Sequence, residues 1–233
     1  MKKPLFAALL ASLSFTATAS ADFAVEMIEA TFKLFDPSVT GTCFLVRREA
    51  PDQALYLVTA AHMLEGTKPD TAILVLRERL DDGTDKRRDY TITIRREGKP
   101  LWVRHANAAA VHVCSPLFVL TYPKTFEANG AGFPVARKGI VASHPLVPVA
   151  AKHSFLADFT TFGGDSGGPV FIPGADGHPL VIGMVIAQFR HDEQLKTEYE
   201  ERSIHYPLGL GEVLHAQFVR ETIEQAAEKS SGG

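Results

Sequence analysis

The 233-residue chain is 45% apolar and 22% charged, with a net charge of −3 and only two cysteines. Such a composition supplies a real hydrophobic core and excludes a chain that is disordered throughout. The acidic balance is the wrong sign for a dedicated nucleic-acid binder, and Cys43 and Cys114 allow at most one internal disulfide, whose formation the sequence leaves open.

The first 21 residues read as an export leader. Lys2 and Lys3 precede an apolar stretch from Leu5 to Leu13, and Ala19-Ser20-Ala21 has the small-x-small pattern of a cleavage site. A membrane anchor is the competing reading, but the stretch is interrupted by Ser and Thr and falls short of the ~18 apolar residues a span needs. Cleavage after Ala21 implies a secreted or periplasmic protein with no stable membrane span. The expected organisation is a leader over 1–21, a first half over 22–125 and a second half over 126–233.

Past the leader, short β-branched and aliphatic runs recur: Cys43-Phe44-Leu45-Val46, Leu55-Tyr56-Leu57-Val58, Ala72-Ile73-Leu74-Val75-Leu76, Thr91-Ile92-Thr93-Ile94 and Val181-Ile182-Gly183-Met184-Val185-Ile186. Turn signals at Asp81-Asp82-Gly83, Arg96-Glu97-Gly98-Lys99-Pro100 and Gly174-Ala175-Asp176-Gly177 separate strand-like segments. This spacing predicts an all-β barrel or sandwich. Only 213–229, with Leu214, Phe218 and Ala226 at helical spacing among charges, predicts an amphipathic helix.

Two boxes carry chemistry. Gly164-Asp165-Ser166-Gly167-Gly168-Pro169 presents a serine between glycines, and Val58-Thr59-Ala60-Ala61-His62 supplies a histidine about a hundred residues earlier. A serine hydroxyl is a weak nucleophile until a neighbouring base takes its proton, and glycines permit a tight turn that aims backbone N–H groups at a developing oxyanion. In this order and separation the boxes resemble those of the trypsin-like (chymotrypsin-fold) serine peptidases. The bacterial exported members are the nearest in pattern, as in Gly41-Thr42-Cys43-Phe44-Leu45-Val46.

The resemblance implies an all-β fold of two packed six-stranded antiparallel barrels closed by a C-terminal helix, one barrel carrying His62 and the other Ser166. It implies Ser166 as nucleophile, His62 as general base and the N–H groups of Gly164 and Ser166 as the oxyanion hole. Asp165 matches a buried aspartate that pairs with a positive group and holds the loop with its donors forward. The partner usual in activated zymogens, a freed aliphatic N-terminus, does not fit a chain beginning Asp22-Phe23.

The family's third triad member is an aspartate between the boxes, and the matching segment, His105-Ala106-Asn107-Ala108-Ala109-Ala110-Val111, has no carboxylate. Two alignments compete, placing either Ala109 or Asn107 at the triad position. Both predict slow turnover, since the aspartate fixes the imidazole tautomer and stabilises the imidazolium. Six residues before Ser166 stands Thr160, where an acidic residue would select Lys or Arg; with Ile186 and Gln188 on the expected pocket wall, and Tyr206-Pro207-Leu208-Gly209 narrowing it, small or apolar side chains are expected. No cofactor is implied, and the histidines show no metal-ligand spacing. The implied partner is a protein or peptide substrate. A catalytically inactive relative that binds peptides or proteins is the alternative.

Overall fold

The computed structural model describes residues 22–48, 53–65, 71–93, 111–144, 146, 149, 151–174 and 177–231. Residues 1–21, expected to be a leader, and the segment holding Ala109 and Asn107 lie outside the described residues. A helix, α1 (Asp22–Ala30), opens the described chain. The strands are β1 (Thr31–Phe35), β2 (Thr40–Arg47), β3 (Leu55–Val58), β4 (Thr71–Arg79), β5 (Asp85–Thr93), β6 (Pro116–Thr121), β7 (Val135–Val141), β8 (Ser154–Asp158), β9 (Pro169–Pro173), β10 (Pro179–Lys196) and β11 (Glu201–His215). A short helix, α2 (His62–Glu65), follows β3, and α3 (Ala216–Ser231) ends the chain.

The protein is all-β in class. Strands β10-β11-β8-β7-β6-β9 close into a six-stranded barrel, and β3-β2-β1-β4-β5 form a separate five-stranded antiparallel sheet. Alternation explains the barrel: in β8, Phe155 and Ala157 point inward and join Leu117, Val119, Val141, Val170 and Val213 in one dry core. In the first sheet Phe32, Leu34, Cys43 and Ala72 form a smaller core. Among the described residues that sheet is not closed by a sixth strand.

Three placements differ from the sequence expectations. β6 pairs with β7 and β9, so residues before 125 already belong to the second sheet. Val213 and Leu214 pair with β8 and β10 on both edges, and this ladder holds them extended, so α3 begins at Ala216 rather than 213. α1 was not expected. Its Ala24, Met27 and Ile28 pack on Leu120 and Phe171 of the barrel, and Arg77 donates from both guanidinium ends to the carbonyls of Ile28, Glu29 and Thr31 that the helix end leaves open. The two cysteines are free thiols, Cys43 buried in β2 and Cys114 exposed.

Phe44 of β2, Ala60 and Met63 beside His62, Met184 of β10, and Val219 and Ile223 of α3 form a third cluster. It lies where the sheet, the barrel and the closing helix meet, and it fixes the histidine box against the barrel.

Candidate active site

His62 is the first residue of α2, and the Ala60 carbonyl accepts from the Met63 N–H at 3.0 Å. Because Ala60 and Met63 are both buried, the turn is anchored on either side of His62 while its imidazole stays exposed. β2 passes closely beneath: a Cβ on Gly41 would lie 2.7 Å from Met63 Sδ.

The serine loop is tied to the same strand. The Ser166 carbonyl accepts from the Thr42 N–H at 2.9 Å, and the Gly164 carbonyl accepts from the Thr42 hydroxyl at 2.9 Å. Thr59, three residues before His62, donates its hydroxyl to the Thr42 carbonyl at 2.8 Å. Gly167, at φ +87°, sits in the remaining gap, where an added Cβ would strike the Thr42 carbonyl and approach Thr59 Oγ1 to 2.5 Å. Thr42 therefore brings the two boxes together. On its other side the loop joins β10, with Gly167 N–H donating to the Val185 carbonyl at 2.8 Å and Val185 N–H to the Gly168 carbonyl at 2.9 Å.

Backbone bonds also set which way the loop's peptides face. The Gly163 carbonyl turns inward to accept from Lys124 N–H at 2.6 Å, and the Asp165 carbonyl accepts from Gly168 N–H at 3.0 Å. In a trans peptide the N–H opposes the carbonyl, so the N–H groups of Gly164 and Ser166 turn the other way. Among the described residues neither donates to a protein group. Gly164 reaches this state at φ +99°, a region open to glycine and strained for other residues.

Asp165 holds the loop from inside. Its side chain is 2% exposed and pairs with Arg137 of β7 at 2.6 Å. Thr121 Oγ1 donates to Asp165 Oδ1 and the Phe162 N–H to Oδ2, each at 2.8 Å. Arg137 also donates to the Thr160 carbonyl and to Thr121 Oγ1, and its guanidinium lies over the Phe159 ring at 5.4 Å from the centroid. Sequence reasoning named the aspartate but missed this partner.

The residues expected on the pocket wall differ in exposure. Thr160 is exposed while its neighbour Thr161 is buried, Ile186 packs with the cluster beside His62, and Gln188 is an exposed β10 residue paired with Gly211. A Cβ on Gly211 would lie 2.6 Å from the Phe159 ring, so the aromatic side chain occupies the space next to this stretch. Tyr206 and Leu208, expected to narrow the pocket, instead stand exposed on β11, beyond the barrel. Among the described residues no carboxylate hydrogen-bonds to His62, and no group of three His, Cys, Asp or Glu side chains is placed to hold a metal ion. No described helix is long and apolar enough to cross a membrane.

No family model matches the chain, and no curated protein matches it. Among solved structures it is similar to Rv3671c from M. tuberculosis H37Rv, in an inactive form with a serine-to-alanine mutation, at 17% identity over 87% of this chain and 89% of that one, with a TM-score of 0.44. It is likewise similar to the inactive form of the Rv3671c protease, at 19% identity over 90% of this chain and 95% of that one, with a TM-score of 0.45.

Proposed function

We propose that the chain is an exported serine endopeptidase. Ser166 attacks the peptide carbonyl, His62 takes the serine proton as general base and returns it to the leaving amine, and the N–H groups of Gly164 and Ser166 receive the tetrahedral oxyanion. Water then releases the acyl group from Ser166 by the same route. The observation that carries this reading is the direction of the loop's peptides: the Gly163 and Asp165 carbonyls are engaged inward, which leaves the two N–H groups free for a substrate oxygen.

Turnover is slow in this reading, because Ala109, or in the second alignment Asn107, stands where a carboxylate would orient His62. In the second alignment the change is from carboxylate to amide, which costs about 10⁴ in kcat. Thr160 in place of an acidic residue, beside the buried Phe159, favours small or apolar side chains on the substrate over Lys or Arg. Fastest cleavage after Arg in a peptide library overturns that preference.

A second reading, an inactive relative that binds peptides, is favoured by one observation: among the described residues His62 has no carboxylate partner. Labelling of chain 22–233 by a fluorophosphonate separates the two. The endopeptidase labels at Ser166 and loses the label in both Ser166→Ala and His62→Ala. The inactive relative takes no label, yet binds peptide with the same affinity before and after Ser166→Ala.

A further inference from the structure

Lys33 is a charged side chain in an enclosed place. Its β1 neighbours Phe32 and Leu34 point into the core of the first sheet, so Lys33 points to the opposite face. It stands directly opposite Thr42 of β2, and opposed residues share a face, the one that meets the serine loop. Only 10% of its side chain is exposed. A buried lysine gives up hydration that an ion pair only partly returns, and an apolar side chain fills such a space without that cost. Nζ donates to Glu127 Oε1 at 2.8 Å, but Arg87 donates to the same oxygen at 2.8 Å, so Glu127 has a cation without Lys33. What Lys33 alone supplies is its second bond, from Nζ to the Thr125 carbonyl at 2.9 Å. Among the described residues no other group donates to that carbonyl.

Thr125 ends the tight turn Pro123–Thr125 that follows β6. Lys124 at φ +46° and Thr125 at φ +70° are consecutive non-glycine residues in left-handed backbone. Side chains disfavour that region, and residues stay in it where surrounding contacts hold them there. The Phe126 N–H closes the turn from within by donating to the Pro123 carbonyl at 2.8 Å, and Lys33 holds it from outside. The turn lies against the serine loop: a Cβ on Gly164 would lie 3.2 Å from Lys124 N, and the Lys124 N–H donates to the Gly163 carbonyl at 2.6 Å. That bond sets the Gly163–Gly164 peptide with its N–H outward. A turn released to ordinary backbone carries the Lys124 N–H away from Gly163, and the peptide loses the bond that fixes it.

We infer that Lys33 is a positioning residue: its ammonium holds the Pro123–Thr125 turn in left-handed backbone and, through Lys124, keeps the Gly164 N–H directed at the substrate oxygen. The inference rests on the endopeptidase reading of Ser166. Two opposed residues of the first sheet then grip the loop at separate places, Thr42 directly at Gly164 and Ser166, and Lys33 by way of the turn at Gly163.

The test joins amide hydrogen exchange to fluorophosphonate labelling, both measured well below the melting temperature. In the parent the Lys124 N–H should be protected from exchange, and Lys33→Met should speed its exchange about tenfold or more. Loss of one oxyanion donor costs about 10² to 10³ in rate, so a misdirected Gly164 N–H should slow labelling at least tenfold. Adding Thr125→Gly to Lys33→Met should recover the rate, since glycine adopts a positive φ without support. A lysine that served only to fill or neutralise the interior is not replaced by a glycine in the turn. Arg87→Met breaks the same ion network on the side away from the turn and should leave exchange and labelling unchanged. An unprotected Lys124 N–H in the parent overturns the inference, even if no Lys33 variant folds. So does Lys33→Met labelling at the parent rate, or a slow Lys33→Met that Thr125→Gly leaves slow. Equal slowing by Arg87→Met assigns the effect to the network as a whole and also overturns it. If the parent takes no label while exchange at Lys124 still follows Lys33, the endopeptidase reading fails and the hold of Lys33 on the turn stands.

Discussion

Replacing Arg137 by methionine removes the only cation bonded to Asp165 among the described residues and leaves that carboxylate with Thr121 Oγ1 and the Phe162 N–H. Arg137 is 14% and Asp165 2% exposed, so solvent screens the pair weakly. Breaking a buried pair from one side costs about 3 to 5 kcal/mol, because the remaining charge is desolvated without its partner. Much of that cost is relieved if the loop lets Asp165 swing toward water, and such a movement frees the Gly163 and Asp165 carbonyls from their inward bonds. The Gly164 and Ser166 donors are then lost together, and loss of even one oxyanion donor costs about 10² to 10³ in rate. The expected result is a lower melting temperature and a fluorophosphonate labelling rate at least a hundredfold slower. Asp165→Asn in the Arg137→Met background should recover part of the stability, since no charge is left buried, but not the labelling rate. Arg137→Lys keeps a charge that reaches fewer acceptors, so its labelling rate should fall between those of the parent and Arg137→Met. An Arg137→Met protein that labels at the parent rate refutes the role given to the pair.

Ala109→Asp should raise peptidase activity at least tenfold in a protein of unchanged fold, by supplying the carboxylate that orients His62; a gain from Asn107→Asp instead selects the other alignment. Gly167→Ala puts a Cβ against the Thr42 carbonyl at a φ of +87°, which costs about 1 to 3 kcal/mol of backbone strain alone. Thermal melting should fall and labelling should be lost, and a variant that melts and labels like the parent contradicts the packing described for Thr42. His215, the last residue of β11, is held below its ordinary pKa by burial, and its ring lies tilted against Phe155 at 5.0 Å between centroids. The unfolded chain takes up that proton first, so stability should decline as pH falls below about 6.5 until the folded value is reached. His215→Phe should flatten this acid limb in a series of melts; an unchanged limb removes His215 as its cause.

Both boxes were legible because their demands are local. Gly164 and Gly167 occupy left-handed backbone where glycine is the residue tolerated, and Ala60 and Met63 bury the small turn that presents His62. Arg137 was not legible. β7 offers Arg137 and Lys138 side by side on opposite faces, and nothing in a two-residue period says which face meets a loop 28 positions away. α1 carries a readable apolar stripe, yet its partners Leu120 and Phe171 come from distant strands, and the stripe has no local mark of where it packs.

The contacts that hold the donors and the group that would orient the base are separate. Asp165 is fixed by Arg137, Thr121 and Phe162, Gly163 by Lys124, and Gly164 and Ser166 by Thr42, whereas the histidine box is held by the Thr59 hydroxyl on Thr42, by Val58 pairing with Phe44 and by the packing of Ala60 and Met63. In the proposed endopeptidase a missing triad carboxylate therefore leaves the oxyanion donors in place. The same separation gives the two perturbations different signatures. Supplying a carboxylate at Ala109 changes the rate of serine attack and leaves melting and peptide affinity alone, whereas removing Arg137 lowers rate and melting together. Residues that act as one catalytic unit are strongly non-additive, so Ala109→Asp should gain little once Arg137 is gone: a base that activates Ser166 gives small advantage when nothing receives the oxyanion.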